Sequence, residues 1–136
     1  MMTFTLPRDS TTTALLTVTA HPHPTGALVV TACGEVDLTT SPLLRAALLD
    51  HLRPGPAQLI VDLTGVRLLD ATGLAVLLVA RKAAAAAGTR LSVVGDARPV
   101  LLPLAVTGLD DVFEVHPDLA GALRAPGQPY TIPSPR

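Results

Sequence analysis

The chain has 136 residues, enough for one domain with a real core and short for two. Hydrophobic residues make up 49% of it, yet no apolar run reaches the ~18 residues of a membrane span. A net charge of -1 without a basic cluster argues against nucleic acid as a partner. The single cysteine, Cys33, excludes an intrachain disulfide and fits a reducing cytoplasm, and residues 1–10 lack the apolar stretch of a signal peptide.

In chain order, residues 1–13 are polar and threonine-rich and are expected to form a flexible N-terminal segment. Residues 14–20 alternate as a first strand, and His21-Pro22-His23-Pro24-Thr25-Gly26 turns the chain. Residues 27–33 form a second strand, with Leu28, Val30 and Ala32 on one face, and Gly34-Glu35-Val36-Asp37-Leu38-Thr39-Thr40 leaves it. Thr40 or Ser41 then caps a helix with Pro42 in its first turn, ending before Pro54-Gly55-Pro56.

Leu59-Ile60-Val61-Asp62-Leu63 has the length and β-branched content of a central strand, and Thr64-Gly65 reads as a turn after it. Val66 to Leu69 leads to Asp70-Ala71-Thr72-Gly73-Leu74, where apolar residues begin to recur at helical spacing. Asp70 is the N-cap candidate, and the helix runs through the alanines 83–87 to Gly88. Residues 89–94 are a further strand. Residues 96–106 read as a helix that starts late or kinks at Pro103, with Gly108 closing it. A short strand at 112–115, a last helical segment at 117–123 and a proline-rich, disordered tail at 125–136 complete the chain. The pattern predicts one α/β domain over residues 14–124, a mixed sheet of about five strands with about four helices packed on it.

The candidate sites lie at the two acidic steps. Thr72 is the side-chain hydroxyl in the first turn of the central helix, where a hydroxyl serves as part of a cap or as a phosphate acceptor. A phosphate there would bring a charge of roughly -1.5 to -2 beside Asp70. Glu35 and Asp37 form the second acidic step, with no histidine or lysine nearby in sequence to make an acid/base pair. His21 and His23 lack a third metal ligand, His51 and His116 read as surface residues, and Cys33 reads as a small core residue. Thr64-Gly65 and Thr107-Gly108 are turn punctuation without a phosphate-cradling glycine pattern. Nothing assembles a nucleophile, a base and an oxyanion donor, so no enzyme, metal or cofactor is expected.

These residues resemble the STAS domain family. Gly34-Glu35-Val36-Asp37 resembles its "G-E-L-D" step, and Leu59-Ile60-Val61-Asp62-Leu63 with Leu69-Asp70-Ala71-Thr72-Gly73-Leu74 resembles its "V-L-D-L…D-S-[ST]-G-L" strand and switch. Thr107-Gly108-Leu109 and Val112-Phe113 are similar to its "T-G-L…V-F" ending. The nearest branch is the bacterial anti-sigma factor antagonists. The resemblance implies a cytoplasmic, non-catalytic protein that binds an anti-sigma factor with ATP-dependent serine/threonine kinase activity and thereby frees a sigma factor. It implies phosphorylation of Thr72, reset by a phosphatase acting on phospho-Thr72. Partner binding would then fall on Glu35, Asp37, Asp70, Ala71, Thr72, Gly73 and Leu74. Two departures from the family pattern stand out: Ala71 replaces the first switch hydroxyl, and Pro103 interrupts the neighbouring helix. A never-phosphorylated adaptor and a small-nucleotide binder are the rival expectations.

Overall fold

The computed structural model describes residues 10–12, 15–53 and 55–124. In order, the elements are β1 (Ser10–Thr12), β2 (Leu16–Pro22), β3 (Ala27–Val36), α1 (Ser41–Leu52), β4 (Gln58–Leu69), α2 (Ala71–Ala87), β5 (Arg90–Val94), α3 (Arg98–Val106), β6 (Glu114–His116) and α4 (Leu119–Ala122). A single 3-10 turn, Leu109–Asp111, lies between α3 and β6. The strands form one sheet in sequence order, antiparallel from β1 to β3 and parallel from β3 to β6. Helical connections follow β3, β4 and β5, as parallel crossovers require.

Side-chain alternation splits the sheet between two cores. Val30, Val61 and Val93 lie side by side in register and join Leu44 and Leu48 of α1, Leu77 and Ala80 of α2 and Leu104 of α3 in the larger cluster. Val29 and Ile60 face the other way and meet Val94 and Ala122 in a smaller cluster under α4. The expected α/β class, mixed sheet and four helices are present.

Several boundaries moved. The segment 1–13 contains β1, which pairs with β2 and adds a sixth strand; its residues 1–9 and 13 lie outside the described residues, as does the expected tail at 125–136. Strand β2 runs on to Pro22, so the hairpin turn narrows to His23–Gly26, closed by Gly26 N–H donating to the His23 carbonyl at 2.9 Å. Strand β3 does not end at Cys33 but continues through Gly34 to Val36.

Thr64-Gly65 is not a turn: β4 passes through it, because the irregularity is absorbed as register shifts against β3 between Thr31 and Cys33 and between Gly34 and Glu35. An added Cβ on Gly65 would meet Cys33 Sγ at 2.6 Å, so the glycine marks a close strand approach rather than a chain reversal. Helix α3 begins at Arg98 with Pro99 in its first turn and runs through Pro103 to Val106, so Pro103 stands inside the helix and a late start does not remove it from the interior. Among the described residues no helix is long and apolar enough to cross a membrane.

Candidate functional site

The carboxyl ends of β3 and β4 meet at the start of α2. Val36 pairs with Leu69 across the two strands, and the Asp70 N–H donates to the Val36 carbonyl at 3.1 Å. Asp70 itself is extended (φ -97°, ψ -172°) and caps α2. Its Oδ1 accepts from the Thr72 amide at 2.9 Å, the Gly73 amide at 3.2 Å and the Thr72 hydroxyl. The Leu74 N–H donating to the Asp70 carbonyl at 3.0 Å opens the helical ladder. The Thr72 hydroxyl, with the Gly73 and Thr72 amides, holds the Asp70 carboxyl below its ordinary range against a smaller opposing effect of burial.

The next residues divide the work. Ala71 is exposed and Thr72 half-buried, whereas Gly73 and Leu74 are buried. A Cβ on Gly73 would stand 2.5 Å from Leu69 Cδ1 and 2.7 Å from Val36 Cγ1, so only glycine lets the first turn of α2 rest on the strand ends. The expected site residues therefore fall into a surface set (Asp70, Ala71, Thr72) and a seat beneath it (Gly73, Leu74).

The second acidic step reaches the same end of the sheet. Gly34 has φ +123°, and a Cβ there would lie 2.0 Å from the Leu15 carbonyl oxygen. That contact allows the Glu35 N–H to donate to the Leu15 carbonyl at 2.8 Å and sets Glu35 opposite Leu68. The Glu35 carboxylate stands 3.8 Å from the Arg67 guanidinium, an exposed pair of little energetic weight. Asp37 orders the turn: its Oδ1 accepts from the Thr39 amide at 3.0 Å, the Thr40 amide at 3.1 Å and the Thr40 hydroxyl at 3.3 Å. Thr40 occupies the N-cap position of α1 as expected, but its buried hydroxyl donates to the Glu35 carbonyl at 2.7 Å and so works inside the turn, making no cap bond to the helix. Sequence reasoning missed this role, although an acid and a hydroxyl three residues apart is a reciprocal capping pattern. Glu35, Asp37 and Asp70 thus all lie at the carboxyl ends of β3 and β4, where Glu35 is paired with Arg67.

Other expectations resolve outside this site. Cys33 is exposed, not a core residue, because it sits on the outward face of β3. His116 is buried, not a surface residue: its Nε2 lies 2.7 Å from Glu114 Oε2. Glu114 also accepts from Arg90 and from the Ser92 hydroxyl, and Gln58 donates to Ser92 Oγ at 2.9 Å and to the Ala122 carbonyl at 2.6 Å. Burial alone would raise the Glu114 carboxyl; the bonds from Arg90, His116 and Ser92 outweigh it and hold it below the ordinary range. His51 is half-buried, with Nδ1 2.8 Å from the Ala47 carbonyl. Among the described residues no group of three His, Cys, Asp or Glu side chains could hold a metal ion. A mainly apolar cleft of about 290 Å³, lined in part by Pro22, His23, Leu28 and His51, lies at the opposite end of the sheet and offers no phosphate cradle.

A family profile described as "Mlab, STAS domain" matches residues 19–124. The chain is 31% identical over 108 residues to the anti-sigma-F factor antagonist RsfB of Mycobacterium tuberculosis, covering 79% of this chain and 87% of that one. An anti-sigma factor antagonist from Mycobacterium paratuberculosis superposes with TM-score 0.75 at 31% identity, over 79% of this chain and 91% of the other. SpoIIAA of Bacillus in its phosphorylated form, at 15% identity and TM-score 0.60 over 77% and 95%, shares the fold. The matched segment carries both acidic steps and the α2 cap, and the chain belongs to the STAS domain family, among the anti-sigma factor antagonists.

Proposed function

We propose that this chain is a cytoplasmic, non-catalytic anti-sigma factor antagonist, switched by phosphorylation of Thr72. In the unphosphorylated state it binds an anti-sigma factor that is also an ATP-dependent serine/threonine kinase, and the sigma factor is freed. The kinase then phosphorylates Thr72 and the complex separates; a phosphatase resets the chain. The contact surface comprises the Glu35–Thr40 turn, Asp70, Ala71, Thr72 and the exposed side of α2, with Gly73 and Leu74 fixing it from below.

The observation that carries this reading is the Thr72 hydroxyl, half-buried on the first turn of α2 beside the Asp70 carboxylate. A neutral hydroxyl at that place is cheap to cover with a partner surface. A phosphate there adds roughly -1.5 to -2 charge beside Asp70, at the strand ends that also carry Asp37 and Glu35, and burying it unpaired costs several kcal/mol. That asymmetry drives release. The test is incubation with an anti-sigma factor kinase of the same genome and ATP, read by intact mass, with Thr72→Ala alongside. A single added phosphate, absent from the variant, supports the switch; stable binding without any phosphate removes it.

One observation favours a second reading, that of a constitutive adaptor: the Thr72 hydroxyl already serves as a donor inside the cap. Under that reading Thr72→Asp leaves partner binding intact, whereas under the switch it abolishes it.

A further inference from the structure

Among the described residues, Leu38 is 75% exposed, far more than the other leucines around the switch. Its neighbours are held: the Asp37 N–H donates to Thr40 Oγ1 at 3.0 Å, and the Thr39 and Thr40 amides both donate to Asp37 Oδ1. The Ser41 N–H donates to the Asp37 carbonyl at 2.8 Å, and Thr40 is tied down to Glu35. A loop braced at both sides of an apolar residue cannot fold that residue back onto the core. Val106, exposed to 76%, ends α3, an element that carries neither acidic step.

From this we infer that Leu38 is the contact residue of the second acidic step and that Asp37 is a positioning residue acting through it. The inference rests on the antagonist reading above and names the chemistry of its partner: an anti-sigma factor surface with an apolar socket for Leu38, rimmed by basic side chains. Two features support that occupant. The loop is continuous with the switch through Val36, which meets Asp70 by its carbonyl and would meet a Cβ on Gly73. Of the carboxylates at this end, Glu35, Asp37 and Asp70, only Glu35 makes an ion pair among the described residues, with Arg67, so a complementary surface is positive. With the backbone of the turn already braced, docking has only the Leu38 side-chain rotamers left to fix, which favours an interface anchor.

The test measures binding of the full chain to the anti-sigma factor used in the phosphorylation assay, by titration calorimetry without ATP. Leu38→Ser, a surface substitution that leaves the melting temperature unchanged, weakens binding about 10- to 100-fold, the value of one buried leucine side chain. Asp37→Asn keeps the oxygen acceptor of the brace and loses less affinity than Asp37→Ala, which loses the brace as well as the charge. Raising the salt concentration weakens the wild type and Leu38→Ser by the same factor. Equal affinity of wild type and Leu38→Ser overturns the contact role, and an Asp37→Asn loss as large as that of Asp37→Ala overturns the positioning role. Absence of binding by the wild type itself instead sinks the antagonist reading.

Discussion

Val36 and Gly73 are in contact so close that a single carbon added to Gly73 would stand 2.7 Å from Val36 Cγ1. This is where the end of β3 supports the first turn of α2, and it makes the second acidic step and the candidate switch one rigid unit. Gly73→Ala therefore forces a shift of either strand end or helix. We expect a loss of about 1–3 kcal/mol from overpacking, read as a lower urea midpoint with unchanged slope. Val36→Ala in the same chain recovers part of the loss, because the two changes share one contact.

At Gly34 the conflict is with backbone. A Cβ would meet the Leu15 carbonyl oxygen at 2.0 Å, and φ is +123°. Neither can be relieved by a rotamer change, so Gly34→Ala is expected to cost more than about 3 kcal/mol and to separate β2 from the end of β3. Amide exchange checks it: the Glu35 N–H, bonded to the Leu15 carbonyl, should lose protection well before the Val61 N–H in the centre of the sheet.

The Asp70 cap gives a graded series. Asp70→Ala removes the acceptor of two amides and a hydroxyl and should cost about 1 kcal/mol in thermal or urea unfolding; Asp70→Asn, which keeps an oxygen acceptor, should cost a few tenths. An Asn variant as damaging as Ala would show that charge, not the hydrogen bonds, holds the turn.

Asp70 and Glu114 also set the acid limb of stability. Both carboxyls are held below their ordinary values of about 3.9 and 4.3. Their contribution is fully present above the unfolded values and is lost as pH falls through the lower folded ones. Stability should thus be flat near neutrality and decline from about pH 5 downward. Glu114→Gln should flatten part of that decline and cost about 1–2 kcal/mol at pH 7, a modest figure because the carboxylate is one-third exposed. Denaturant titrations at several pH values measure both effects.

The sequence by itself determined the element types, the two acidic steps and the family. Those signals are local: a β-branched apolar run of strand length such as Leu59 to Leu63, an N-cap aspartate before a helical repeat, a glycine at a helix end. Gly88, at φ +72°, closes α2 where the pattern predicted. Tertiary structure decided what local spacing cannot encode. Thr64-Gly65 carries the residues of a turn, yet sits in a strand because β3 on one side lets the extra residues bulge. His116 was legible only as a surface histidine; it is buried because α4 packs against its ring at Gly121, with Glu114 as the partner of its Nε2. The pairing of Asp37 with Thr40 went unread, and the exposure of Leu38 between them depends on which side of the turn the core lies. A residue's own type and neighbours fix its backbone preference, while its burial is fixed by chain segments that arrive from elsewhere in the sequence.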